Sequence, residues 1–297
     1  MSVALKICLL GLGEVGGTLA EDLHSHPLST WDTRFTDPQS PPSLTRRALN
    51  LPVCGSAAEA ARAADIVISA VTAAQDEAAA RSLAPGLRPG AFYVDLNSAS
   101  PAMKQATAAL VEATGARYVE AVVMSPISNK RIASPVLLGG PHARAFLPTA
   151  AAIGFTGASV FSEAIGPASA TKMCRSVIIK GLEALLTESM LTARHYGVES
   201  TVLSSLSDFF PGQDWRALAQ LMISRGLLHG ARRAEEMREA AATVAQAGIA
   251  PLMSEACARR QDWLAQHAAA LHHKNLGQML DAIRLEAASE HKENMTC

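Results

Sequence analysis

The chain has 297 residues, 49% hydrophobic and 18% charged, with a formal net charge of −1. That length suits about two domains at ~150 residues each, and the composition favours a buried core over disorder. Aromatic residues make up only 4% and no basic stripe stands out, which argues against a nucleic-acid groove with stacking platforms. No apolar run reaches the roughly 18 residues of a membrane span. The N-terminal apolar run flows into a glycine loop and reads as part of the fold rather than as a signal peptide. Cys8, Cys54, Cys174, Cys257 and Cys297 are widely spaced and form no C-x-x-C pair. They read as free thiols of a cytoplasmic protein, and His272-His273 as a solvated pair, so no metal site is expected.

In chain order, the first half alternates strands and helices. Strands are expected at Ala4–Leu10, Leu28–Phe35 (weaker), Leu51–Cys54, Asp65–Val71, Ala91–Leu96, Tyr118–Met124, Pro135–Leu138 and Ala158–Ser162. Between them fall helices at Glu14–His24, Ala57–Ala64 capped by Ser56, Ala74–Leu83, Pro101–Thr114 and Ala143–Ile153, with Arg46-Arg47 opening another. Such alternation implies a parallel sheet covered on both sides. After Gly166 the period becomes helical: Pro167–Tyr196, Thr201–Ser207, Trp215–Ala247 with room for one break, and Pro251–Leu271, before a charged tail from about Leu285. The expected organisation is therefore an α/β domain over residues 1–165 and an all-α domain over 166–297. Apolar stretches such as Leu182–Leu186 and Leu221–Ile223 predict a homodimer through the helical half.

Gly11-Leu-Gly-Glu-Val-Gly16 follows a strand and opens a helix. The first glycine of such a loop allows a tight turn, the second lets backbone approach a pyrophosphate, and the third lets helix pack on strand. Gly11, Leu12, Gly13, Glu14, Val15 and Gly16 are thus candidate dinucleotide contacts, with helix-terminal amides facing the phosphates. An acid for the adenosine ribose belongs about 20 residues on. Asp32 lies 32 − 11 = 21 residues from Gly11, and Asp37 lies 37 − 11 = 26 away. Asp32 is preferred and Asp37 stays open; an acid there disfavours a 2′-phosphate, so NAD is slightly preferred, while Arg34, Arg46 and Arg47 nearby keep NADP open.

Lys172 lies about one turn inside an apolar helix pattern, where a lone cation is costly without a task. A desolvated amine has a lowered pKa, which suits it to exchange protons near neutral pH. Ser169, Arg175 and Ser176 lie one turn away by spacing. A structural ion pair with a carboxylate from another segment is the bland reading of the same residues. The order of motifs sharpens this: the glycine loop, then Asp95-Leu-Asn-Ser-Ala-Ser-Pro101, then Gly166 with Lys172-Met173 opening the helical half. Together they resemble the β-hydroxyacid dehydrogenase family, akin to 6-phosphogluconate dehydrogenase. Lys172-Met-Cys-Arg-Ser176, Lys180-Gly-Leu-Glu-Ala-Leu185, Phe210-Pro-Gly-Gln-Asp-Trp215 and His229-Gly-Ala-Arg-Arg-Ala-Glu-Glu-Met237 resemble a branch with a C-terminal domain of unknown function.

The resemblance implies an enzyme in which a Rossmann domain holds NAD(P) and Lys172 is the general acid–base. It also implies Asn97 and Ser98 near the nicotinamide ribose and Val71-Thr72 bordering the adenosine side. The chain departs from the family at three places. Ser176, with Arg175 beside it, stands where the family has an asparagine one turn after the lysine. Glu120-Ala-Val-Val-Met-Ser-Pro126 stands where the family cradles a substrate carboxylate on backbone donors, and proline has no amide to offer. Glu235-Glu236 stands in place of a Lys-Asp pair, with Arg232 one turn earlier able to compensate. Ser125, Arg175, Ser176, His229 and Arg232 are the candidate contacts to a small anionic substrate. The expected activity is a CH–OH dehydrogenase acting on a small hydroxy acid or its keto or semialdehyde form. The alternatives are an imine reductase on the same fold and a non-catalytic NAD(P)-binding sensor.

Overall fold

The computed structural model describes residues 5–295, with side chains through residue 289. Cys297 and the first residue of the expected strand Ala4–Leu10 lie outside that range. The chain divides between Met173 and Cys174 into two compact units.

The first unit runs β1 (Ile7–Leu10), α1 (Glu14–Asp22), β2 (Leu28–Trp31), α2 (Pro41–Ala48), α3 (Ala57–Ala61), β3 (Ile66–Ser69), α4 (Asp76–Leu83) and β4 (Phe92–Asp95). It continues through α5 (Pro101–Glu112), β5 (Arg117–Val123), α6 (Ile127–Lys130), β6 (Val136–Gly139), α7 (Ala143–Ala152) and β7 (Ala158–Ser162) into α8 (Pro167–Tyr196). The strands form one sheet in the order β2-β1-β3-β4-β5-β6-β7. All pairs are parallel except β5 with β6. The central strands are apolar runs because both faces are covered. Ile7, Leu9, Ile66, Ile68, Val94 and Val119 pack with Leu19, Leu23 and Phe146 on one side. Cys8, Leu10, Val67, Tyr93 and Tyr118 pack with Ala57, Ala80, Leu83 and Val111 on the other.

Several details differ from the expected elements, among them α6 and a helix over Leu276–Met295, neither of which was expected. Leu51–Cys54 forms no strand, because Pro52 withholds an amide from any ladder. Arg46 and Arg47 end α2 rather than open it; Ser40 caps that helix and Pro41 fits its first position. The second strand stops at Trp31, because the Asp32 carboxylate accepts from Arg34 N and starts a 3-10 turn at Thr33–Thr36. Ser56 caps α3 as expected, accepting from Glu59 N at 3.1 Å.

Arg131 ends α6 at φ +52°, ψ −134°, a conformation that is strained outside glycine. Its guanidinium reaches back to α1, donating to Asp22 Oδ1 and Glu21 Oε2 at 2.7 Å each. The Asp22 carboxylate also accepts from Ile132 N.

The second unit holds the rest of α8, then α9 (Glu199–Phe209), α10 (Trp215–Gln246), α11 (Leu252–Gln266) and α12 (Leu276–Met295). Its described residues include no strand. The charged tail from Leu285 continues α12. Leu186, Met190, Ile223, Leu227, Leu264 and Leu280 build its core. The apolar stretches named above are thus largely absorbed by this unit, leaving Leu185 and Leu221 exposed. Helices α10 and α11 approach closely at Gly230, where a Cβ would stand 2.5 Å from Gln261 O. Among the described residues no helix is long and apolar enough to cross a membrane.

Candidate functional site

Parallel strands that leave β1 in opposite directions create a crevice at their carboxyl ends. Here β1 sits between β2 and β3, and the loops leaving β1, β3 and β4 line that rim. The three glycines of the first loop differ in what surrounds them. Gly11 has φ +85°, and a Cβ there would stand 2.5 Å from Ala70 O. At Gly16 a Cβ would stand 1.9 Å from Gly11 O, whereas at Gly13 it would meet nothing within 4 Å. Gly11 and Gly16 therefore serve the fold, and Gly13 keeps an open face. No side chain caps α1 at Gly13, so amides of its first turn point outward with the positive end of the helix dipole. Leu12 is buried, Glu14 is exposed and Val15 is half-buried. These features fit a dinucleotide pyrophosphate.

Asp32 lies at the end of β2 against this loop. Its Oδ2 accepts from Leu12 N at 2.9 Å and its Oδ1 from Arg34 N at 2.9 Å. The carboxylate thus shapes the loop, and each oxygen retains a lone pair for a ribose hydroxyl. Asp37 is an exposed turn residue accepting from Gln39 N. Of the nearby cations, Arg34 is exposed, Arg46 stacks over Phe35 and Arg47 donates to Pro38 O.

The second and third rim segments are joined by one side chain. Asn97 Oδ1 accepts from Val71 N at 2.7 Å, and Asn97 Nδ2 donates to Ser69 Oγ at 3.0 Å and Asp76 Oδ1 at 2.8 Å. Asn97 is buried and Thr72 is exposed. Next to Asn97, the Ser98 hydroxyl accepts from Lys172 Nζ at 2.7 Å. Lys172 is half-buried. The structure therefore brings the glycine loop, Asp32, Val71, Asn97, Ser98 and Lys172 together within the first unit.

Glu120 was not among the sequence candidates, yet it anchors the helix that carries Lys172. It is fully buried. Its Oε2 accepts from Gly166 N at 2.9 Å and its Oε1 from Ser169 N at 2.7 Å, satisfying two amides at the start of α8. An acid inside a buried strand was the available signal. On the loop after β5, the Ser125 hydroxyl is buried without a partner among the described residues, and Pro126 precedes α6.

In the second unit Ser176 is buried and accepts from Lys180 Nζ at 3.1 Å. Lys180 also pairs with Glu236 Oε2 at 2.6 Å, so this glutamate takes its countercharge from α8. Arg175 and Arg232 are exposed. His229 is half-buried and sits at φ −126°, the one non-helical residue within α10. A fully buried Glu183 is held by Arg233 at 2.7 Å and Gln261 at 3.2 Å. Burial nonetheless pushes its carboxyl above the usual range.

This architecture and rim define a dinucleotide-binding α/β unit followed by a helical unit. Residues 6–162 match the model described as the NAD binding domain of 6-phosphogluconate dehydrogenase, and the chain belongs to that family. Residues 193–264 match a domain of unknown function, DUF1932. The mitochondrial 3-hydroxyisobutyrate dehydrogenase of Homo sapiens is 24% identical over 72% of this chain, and the match spans 65% of the human protein. A solved structure of a conserved hypothetical protein from Sinorhizobium meliloti is 33% identical, covers 95% of this chain and 96% of its own, and has a TM-score of 0.72. The 3-hydroxyisobutyrate dehydrogenase of Mycobacterium tuberculosis, solved with L-serine, shares the fold: TM-score 0.69, 21% identity, covering 95% of this chain and all (100%) of its own. The resemblance to β-hydroxyacid dehydrogenases and the Rossmann-plus-helical fold class are thereby borne out.

Proposed function

We propose that the chain is an NAD(P)-dependent dehydrogenase that interconverts a small hydroxy acid and its keto or semialdehyde form. The observation that carries this is Lys172 Nζ held on the Ser98 hydroxyl at the same strand-end rim as the glycine loop. Leu12, Gly13, Glu14 and Val15 would hold the pyrophosphate, Asp32 the adenosine ribose, and Asn97 and Ser98 the nicotinamide side. When bound, the cofactor exchanges a hydride with the substrate carbon. Lys172 takes the hydroxyl proton in oxidation and returns it in reduction. Ser98 fixes the position of Nζ, and the Glu120 cap fixes the helix that carries it. Either cofactor is admitted, with Asp32 favouring NAD.

Ser125, whose buried hydroxyl meets no partner among the described residues, supports a substrate contact on the loop where Pro126 removes a backbone donor. Arg175, Ser176, His229 and Arg232 are further candidates for contact with an anionic substrate. The exposed Leu185 and Leu221 support self-association through the helical unit.

The test is a panel of hydroxy and keto acids read at the nicotinamide absorbance with both cofactors, for wild type and Lys172→Ala. A positioned acid–base contributes about 10²–10⁴ in rate, so the variant should lose about that factor in kcat while binding NAD(P)H normally. An active Lys172→Ala, or a wild type that binds neither cofactor, would overturn the proposal.

A further inference from the structure

Two carboxylates and one ammonium are sealed beneath the cofactor rim: Asp76, Asp95 and Lys104 are all fully buried. Lys104 Nζ lies 2.7 Å from Asp95 Oδ1 and also donates to the Asp95 carbonyl. The Tyr118 hydroxyl donates to Asp95 Oδ2 at 2.7 Å and Asn97 N to Oδ1 at 2.9 Å. Asp76 receives far less: among the described residues its Oδ1 accepts from Asn97 Nδ2 and no group donates to its Oδ2. A buried cluster with two negative charges and one positive sheds the excess by keeping a proton. Asp95, with three donors on its oxygens, holds its charge, so the proton falls to Asp76. Burial, then the Asp95 charge, push the Asp76 carboxyl up to about 8, with Lys104 and Asn97 opposing. Tyr93 and Tyr118, the other titratable groups facing the cluster, are themselves pushed up and stay neutral. From α3 the packing residues are alanines, with Glu59 exposed, and on α4 itself Glu77 pairs with Arg81 at the surface.

Asp76 opens α4, directly after the segment Val71–Gln75. We propose that Asp76 is a positioning residue that works as a neutral acid: its protonated carboxyl fixes Asn97 on the Val71 amide beside Ser98, and losing that proton slackens the cofactor rim. An ionised Asp76 is repelled by Asp95 and drawn toward water, and it drags the Val71–Gln75 segment with it. This inference rests on the cofactor reading above.

Three measurements on wild type and Asp76→Asn test it. First, NAD(P)H fluorescence titrations should show wild-type Kd rising about tenfold per pH unit at most above pH 8, and a flat profile for the isosteric amide. Second, ligand-free melts should show wild type losing Tm relative to Asp76→Asn between pH 5 and 8 and levelling above. The sign follows because the folded chain keeps a proton that the unfolded chain releases in the ordinary carboxyl range. Third, infrared spectra of wild type alone should show a buried protonated carboxyl at pH 7 that is gone at pH 9.5. Identical Kd profiles in the two proteins would overturn the positioning role. Parallel melts, or no protonated carboxyl at pH 7, would overturn the buried proton. If wild type binds neither cofactor at any pH, the dehydrogenase reading and the positioning role fail together. The melts and spectra then decide the proton alone.

Discussion

The Glu120 anchor of α8 yields a quantitative double-mutant test. Gly139 lies opposite Glu120 in the β5–β6 ladder, and a Cβ at Gly139 would stand 2.4 Å from Glu120 Oε2. Glu120→Ala strands the amides of Gly166 and Ser169. A buried donor left without an acceptor costs about 1–3 kcal/mol, so two cost about 2–6. Relief of the carboxylate's own desolvation returns part of that, leaving a net loss of about 2–4 kcal/mol. Gly139→Ala drives a methyl into the carboxylate and should cost about 1–3 kcal/mol by overpacking. In the double variant the clashing oxygen is gone, and the remaining neighbour, Ala164 O, stands at 3.4 Å. The double variant should therefore be about as stable as Glu120→Ala alone, with a coupling of about 1–3 kcal/mol. Urea unfolding of the four proteins measures this, provided m is constant, and hydrogen exchange at the start of α8 should quicken in both proteins lacking Glu120. Additive losses within about 0.5 kcal/mol, or a costless Gly139→Ala, would refute the reasoning.

The glycine loop and the thiols provide two further tests. Gly13→Ala should melt like wild type but bind NAD(P)H at least about tenfold more weakly, a loss of about 1.4 kcal/mol, because its methyl enters open space at the phosphate face. Gly16→Ala should lower the melting temperature sharply, since its Cβ meets Gly11 O at 1.9 Å; equal melts for the two variants would contradict the division of roles. With a thiol reagent at pH 8, in a Cys297→Ala background, exposed Cys174 should react first and half-buried Cys54 more slowly. Cys8, pushed up to about 12 by burial, and Cys257, pushed up to about 11 by burial and the Glu183 charge, should react only on unfolding. Rapid labelling of Cys257 in the native protein would contradict its burial.

Periodicity and punctuation made much of the fold legible. The strand Ala158–Ser162 and the helix Pro167–Tyr196 fall where apolar alternation, Pro167 and Gly197 place them. The glycine loop and Asp32 were legible because each residue type there has a local geometric task. What escaped depended on contacts far apart in sequence. Glu120 accepts from Gly166 N, 46 residues later, at the start of a helix, and nothing adjacent to it signals that pairing. Lys104 looks like a surface residue of α5 until Asp95 and Tyr118 surround it. The Lys180–Glu236 pair needs α8 and α10 side by side, and the break in α10 falls at His229 without proline to mark it. The family resemblance implies Asn97 near the nicotinamide ribose, but its three-way bonding to Val71, Ser69 and Asp76 requires two strand ends in register.

The bond from Arg131 to Asp22 spans 109 residues, and this orders events during synthesis. The first strand and helix leave the ribosome long before the residue that grips them has been made. At about 5–20 residues per second that interval is on the order of 5–20 s. Closing so long a loop carries an entropic penalty that grows only logarithmically with length, so the late arrival of Arg131 costs time more than stability. The grip can then act as a final latch, set once the antiparallel β6 strand has joined the sheet.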